Sequence, residues 1–223
     1  MRKVSFPARG EFNKTLKGRV EQYFAERGLS KTGNWRMLLK TAIILGSLAT
    51  SYVLLVFFSA SLLMAVITAL VISQIFVLIG FNIMHDGIHG SYSKKARLNQ
   101  VMGFTLDLIG GSHMVWRHKH NILHHTYTNI NEFDDDIQVF SILRFSPEQP
   151  WRPWHRFQHL YAFPAYSLMT FLWVMRGDFE KFFTGKIGDY NLPKPSVAES
   201  FLFFLAKIFY FGYMLVLPMF FHP

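Results

Sequence analysis

Seven of the ten histidines in this 223-residue chain fall within 41 consecutive positions: His85, His89, His113, His118, His120, His124 and His125. His85 and His89 are four apart, as are His120 and His124, and His125 sits one position further round. On a helix, an i, i+4 pair projects from one face, so two pairs with a neighbour can converge on a metal. Neutral imidazole suits Fe, Cu, Zn and Ni, which leaves the ion open. The chain has no cysteine, which excludes disulfides, thiolate metal sites and a cysteine nucleophile. "HDGIH" shares its spacing with HExxH, but Gly87 and Ile88 are not catalytic and Asp86 is shorter in reach than Glu, so a metalloprotease is not indicated.

The remaining histidines do not join these pairs. No spacing ties His113 and His118 to the pairs, and they read as polar residues near a membrane. His155 and His159 are also four apart but flank an interfacial stretch, and His222 reads as incidental. Asp86 beside the first pair can orient an imidazole through its second nitrogen or cap a helix. Asp134, Asp135 and Asp136 form an acidic run just after the second cluster, as solvated surface or as support for it; Asp134 and Asp135, with Asn129, are candidate supports for the ligands. Leu98, Val101, Met102, Thr105 and Ile109 give the intervening segment one apolar face, which predicts a helix packed on the metal region or the membrane.

Something must hold these groups in place, and the composition points to a bilayer. About half of the chain is hydrophobic, 24 residues are Phe, and only 17% is charged, against roughly 25% in soluble domains. Thr41 to Ile83 carries no charge over 43 residues. As helix this would run ~65 Å, about twice a hydrocarbon core, so it predicts two spans (41–84) joined near Ser59-Ala60-Ser61. Residues 1–40 hold ten Lys/Arg against three Glu. That bias predicts a cytoplasmic N-terminus and, beyond the hairpin, a cytoplasmic metal region over 85–156. Phe12, Leu16, Val20, Tyr23 and Phe24 recur at helical spacing among Lys14, Lys17 and Arg19, an amphipathic helix suited to anionic lipid that Gly28 would end. Phe157 to Met175 is apolar but broken by Gln158, His159 and Pro164, and the 176–200 loop beyond it is basic. The first is therefore read as interfacial or half-inserted, anchored by Trp151 and Trp154, the second as cytosolic, and 201–223 as a third span. The fold class expected is an all-α integral membrane protein in a bacterial inner membrane or an endoplasmic reticulum. The net charge of +9 is shared with nucleic-acid binders, but long phenylalanine-rich apolar runs are not, and no nucleic-acid partner is expected.

"HDGIHGSYS" (85–93) resembles the first histidine box of membrane fatty acid desaturases, and "WRHKHNILHHTYTN" (116–129) resembles the second, in the HxxxHH form with the Thr-Asn frequent in the acyl-CoA and front-end branch. "PWHRFQHLYAFPAY" (153–166) is similar to a stretch of the same branch, and the resemblance runs from Thr41 onward. It implies a di-iron centre with His85, His89, His120, His124 and His125 among its ligands. The family's third box, H/QxxHH, has no match after Asn129. On that resemblance the sequence is expected to be an N-terminal portion whose iron centre is incomplete by itself. No HPGG haem motif occurs, so electrons are expected from a separate ferredoxin or cytochrome b5-type donor.

The implied reaction removes two hydrogens from an acyl chain of acyl-CoA or membrane lipid, using O2 and two external electrons. Such chemistry lies beyond any side chain and calls for a cofactor. A related membrane hydroxylase of alkyl, sterol or carotenoid substrates would use the same scaffold and differ in product, and a non-catalytic truncated remnant would use none of it. A metal transporter should carry ionisable groups within its spans, and 41–83 has none.

Overall fold

Two capped helices begin the transmembrane part. In this computed structural model, which describes residues 4, 6, 10–138 and 141–222, α1 (Glu11–Glu26) precedes α2 (Trp35–Phe57) and α3 (Leu62–Ile88). The basic residues Arg2, Lys3 and Arg9, counted in the N-terminal segment, and Pro223 lie outside the described residues. Helix α1 buries no residue, and Phe12, Leu16, Val20 and Tyr23 remain exposed along it; Gly28 follows with φ +59°, a left-handed stop. Asn34 Oδ1 accepts from Arg36 N at 2.9 Å, and Ser61 Oγ accepts from Met64 N at 3.2 Å. The Asn34 cap starts α2 six residues before the uncharged run does, because Arg36 and Lys40 are good helix formers despite their charge.

Helices α2 and α3 bury Ile44 and Leu48 against Ile72, Ile75, Ile79 and Ile83. Their outer faces stay bare: Leu62 is 82% exposed and Phe81 74%. Three helices, α2, α3 and a later α7 (Val197–Phe221), are long and apolar enough to cross a bilayer. Apolar surface on this scale is stable only in lipid, and the chain is an integral membrane protein of all-α class, with one two-residue hairpin, β1 (Lys186–Ile187) and β2 (Tyr190–Asn191), as its described sheet.

Helix α3 does not stop at the apolar boundary. A π turn over Gly80–Met84 widens it, and it continues through His85 to Ile88. Helix α4 (Ala96–Gly103) packs so tightly on this extension that a Cβ on Gly87 would lie 2.6 Å from Gly103 N and 2.9 Å from Asn99 O. The loop between them is tied by Asn99, whose Nδ2 donates to Gly90 O and Ser93 O and whose Oδ1 accepts from Ser93 N. Tyr92 is buried, with its hydroxyl 2.7 Å from Thr41 Oγ1 at the head of α2. The apolar face expected from Leu98 to Ile109 is only partly formed. Leu98, Met102 and Ile109 pack on the core and Thr105 is buried, but Val101 is 57% exposed. Val101 lies on the outer side of the same helix as Leu98 and Met102; that helix ends at Gly103 and a separate turn follows over Thr105–Leu108, so the helical phase linking these three to Thr105 and Ile109 is lost.

Helix α5 (113–127) carries the second histidine cluster and starts on Ser112, whose Oγ accepts from Val115 N. Helix α6 (158–184) comprises Gln158–Leu172, a π turn over Trp173–Gly177, and Asp178–Thr184. Helix α7 opens on a capping box: Ser196 N donates to Glu199 Oε2 at 2.8 Å, and Glu199 N donates to Ser196 Oγ at 3.2 Å. Its one mid-helix charge, Lys207, is buried. There Nζ donates to Asp178 Oδ2 at 2.7 Å and to Gly110 O at 2.6 Å. Gly110 (φ +94°) lets α7 approach, since a Cβ would strike the Tyr210 ring at 2.6 Å. The far end of α7 meets the far end of α2 through Phe57 against Phe221 and His222 Nε2, 2.9 Å from Val56 O. His222 is thus a tether, remote from the other histidines.

Candidate metal centre

The extension of α3 and the middle of α5 face each other and bring five imidazoles together. His85 Nε2 lies 3.2 Å from His120 Nε2, and His89 Nε2 lies 3.2 Å from His125 Nε2. Ring centroids are 4.5 Å apart for His85 and His89, 4.7 Å for His120 and His125, and 5.1 Å for His120 and His124. His85, His89 and His120 each offer a nitrogen within 4.8 Å of the other two.

A helical irregularity makes the α5 side possible. In a regular α-helix, His125 would stand roughly 140° round from His120. The π turn over His118–His124 closes i→i+5, so His120, His124 and His125 share a face. Asn121 fixes the spacing of the two elements, its Nδ2 donating to Ile88 O at 3.1 Å while its Oδ1 is buried without a protein partner. Trp116 walls the site: its ring stacks on His120 at 4.1 Å and 17° and meets the edge of His85 at 5.9 Å.

The carboxylates divide. His124 Nδ1 faces Asp134 at 3.1 and 3.2 Å, and Asp136 Oδ2 at 3.2 Å. Asp135 turns the other way, to Lys119 at 3.2 Å and Lys181 at 2.9 Å, and touches no histidine. Asp86 Oδ1 is 3.8 Å from His85 Nδ1, too far for a hydrogen bond, while its backbone carbonyl accepts from Ser91 N and Tyr92 N. Asn129 contributes its backbone, at φ +61°, donating to Asp134 Oδ2 at 2.8 Å. Of the supports expected from the sequence, Asp134 and Asn129 reach the cluster. The acidic run includes Asp136 but does not say which carboxylate turns inward, and Trp116 was missed although it stands four residues before His120, the spacing that stacks side chains on a helix.

The other histidines lie elsewhere. His113 Nδ1 is 2.7 Å from Asp107 Oδ2, and His118 Nδ1 is 3.4 Å from the Tyr190 hydroxyl. Buried His155 accepts from Arg152 N through Nδ1, with Nε2 2.9 Å from Ser141 O, while His159 is exposed.

For His85, His89 and His125 the electrostatics favour the neutral imidazole, which can ligate. Burial, then the charges of His85, His120 and His125, push His89 down to about 4. Burial and then His120, His124 and His85 lower His125. For Asp136, burial would raise the carboxyl, but His120, then Lys119 and His124, outweigh it and hold it well below the usual range.

The donor set fits iron. Two nitrogens ~2.1 Å from one ion at roughly tetrahedral angles would stand ~3.4 Å apart, near the 3.2 Å observed twice. Imidazole nitrogen is a donor that iron accepts, as it is for zinc, copper and nickel.

A helical membrane hairpin presenting two histidine pairs at one end defines a membrane-embedded histidine-cluster scaffold. Comparison makes this specific: the fatty acid desaturase model matches residues 59–223, and the chain belongs to that family. It is 36% identical over 210 residues to an acyl-lipid (8-3)-desaturase of Physcomitrium patens, covering 93% of this chain and 44% of that protein. It is 34% identical over 216 residues to an sn-1 linoleoyl-lipid 6-desaturase of Arthrospira platensis, covering 97% and 59%, and 33% identical over 217 residues to the like-named enzyme of Synechocystis sp., covering 97% and 60%. These relatives support the front-end branch that the boxes resemble. The chain spans about half the length of the curated relatives it matches. No solved structure matches it.

Proposed function

We propose that this chain carries part of the iron centre of an O2-dependent fatty acyl desaturase acting on acyl chains of membrane lipid. The observation that carries the reading is the meeting of His85 and His89 with His120, His124 and His125 across two elements, with two Nε2 pairs at 3.2 Å. The relatives' names, acyl-lipid desaturases, favour a lipid-borne over a CoA-borne chain.

These five imidazoles would hold iron, which when bound supplies the oxygen-dependent, two-electron removal of hydrogen from an unactivated methylene. The chain's own residues do the rest. Trp116 and Asn121 fix the planes and spacing of the ligands. Burial keeps His89 neutral and available. The bare faces of α2, α3 and α7 seat the site at the lipid surface, where an acyl tail is already solvated. The positive bias of residues 1–40 supports a cytoplasmic site, within reach of a separate ferredoxin or cytochrome b5-type donor. The exposed apolar side of α1, and Trp151 and Trp154 before α6, suit the headgroup layer.

The test is expression of the complete coding frame that contains these residues, in a host with a defined acyl composition. A new double bond found by mass spectrometry of the extracted lipids, lost in His85→Ala and His124→Ala, supports the proposal. A new hydroxyl would point to the hydroxylase, and unchanged double-bond formation in both variants would refute the ligand assignment.

A further inference from the structure

The segment after α5 folds back so that two carboxylates close on one imidazole nitrogen. Asp134 is fully buried and anchored by backbone, its Oδ2 accepting from Asn129 N at 2.8 Å and its Oδ1 from Asp136 N at 3.0 Å. Those oxygens stand 3.1 and 3.2 Å from His124 Nδ1. Asp136 arrives from the 3₁₀ turn over Asp135–Ile137: Oδ2 is 3.2 Å from the same Nδ1, and Oδ1 is 2.9 Å from Lys119 Nζ. His120 Nδ1 is 3.9 Å from Asp136 Oδ2, beyond a hydrogen bond.

A ring nitrogen facing two carboxylates is the one that carries the proton, and the other nitrogen then holds the lone pair. The His120 and His124 rings are stacked, 10° from parallel. His120 Nε2 faces His85 and its Nδ1 faces Asp136, so the parallel His124 ring, with Nδ1 on the same carboxylate, turns Nε2 the same way. His120, His124 and Asp136 also lie close enough to grip an ion among themselves, but that would engage His120 on the side opposite to its partner His85.

We propose that Asp134 and Asp136 are positioning residues that lock His124 in the Nδ1–H form, leaving Nε2 free to ligate, with Lys119 holding Asp136 in place. This rests on the metal reading above, and deepens it by assigning the support of one ligand. Carboxylates that accept from the far nitrogen of a ligating histidine commonly contribute 10- to 100-fold in metal affinity.

Two measurements on the product of the complete coding frame that contains these residues, purified in detergent, separate this inference from the metal reading. In the first, ¹⁵N-histidine-labelled protein without metal is examined by long-range ¹⁵N–¹H NMR, with His124 assigned by its absence in His124→Gln. His124 should be a single Nδ1–H tautomer that becomes mixed in Asp136→Asn. In the second, Co²⁺ alone is titrated against a chelator. Asp136→Asn should bind about 10-fold or more weakly, while Asp135→Asn, whose carboxylate touches only lysines, should stay within about threefold. An Nε2–H tautomer in the wild type, or an unchanged tautomer in Asp136→Asn, overturns the proposal. So does equal loss of Co²⁺ in both variants with the same fall in Tm, since the run would then be structural. Failure of that wild-type product to bind Co²⁺ would sink the metal reading, and the NMR result would still decide this one.

Discussion

His85 and His120, thirty-five residues apart, face each other nitrogen to nitrogen at 3.2 Å across the gap between α3 and α5. One imidazole rides on the end of a membrane helix and the other on a π turn of a separate helix. Their meeting therefore depends on how those two backbones are held, and several substitutions test the holding.

Gly87 allows α4 to lie against the histidine-bearing end of α3. In Gly87→Ala, the new methyl would meet Gly103 N and Asn99 O at 2.6 and 2.9 Å, both backbone atoms that cannot step aside. Overpacking of this kind costs about 1–3 kcal/mol. The thermal midpoint in detergent should fall, and bound metal should fall with it. An unchanged midpoint would mean that the elements are less tightly packed than the distances say.

Lys207 and Asp178 form a buried ion pair tying α7 to α6 and, through Gly110, to the approach to α5. Removing one partner of such a pair leaves a buried charge and costs about 3–5 kcal/mol, whereas replacing both with apolar residues is often close to neutral. Lys207→Met and Asp178→Leu should each destabilise strongly, and the double variant should recover much of the loss in a thermal double-mutant cycle. Additive losses would show that the two groups do not interact.

Asn121 joins the clusters through Ile88 O. Asn121→Ala should weaken Co²⁺ binding by roughly 10-fold, as loss of an outer support does, with little change in helical content by circular dichroism. Full affinity in this variant would show that the spacing of α3 and α5 is set elsewhere.

Much of the scaffold was legible in the residues. The charge-free run, Ser61 in the turn, and the two i, i+4 histidine pairs are local patterns that period and length decide. What escaped was non-local. Lys207 finds its partner 29 residues away in a segment of another helix, which no spacing rule reports. The acidic run looked uniform, yet one 3₁₀ turn sends Asp136 toward His124 and Asp135 toward Lys119 and Lys181. The single apolar face from Leu98 to Ile109 requires one continuous helix, whereas the helix stops at Gly103 and a separate turn carries Thr105. The π turn that aligns His125 with His120 and His124 leaves no simple mark in composition.

The central claim is that imidazoles from both clusters share bound iron. X-ray absorption at the iron edge, on chain loaded anaerobically with Fe²⁺, tests it most directly. The account predicts nitrogen or oxygen neighbours at ~2.1 Å with imidazole outer-shell scattering that declines in His85→Ala and His120→Ala alike. Iron scattering without an imidazole signature, or unaltered by either substitution, would contradict it.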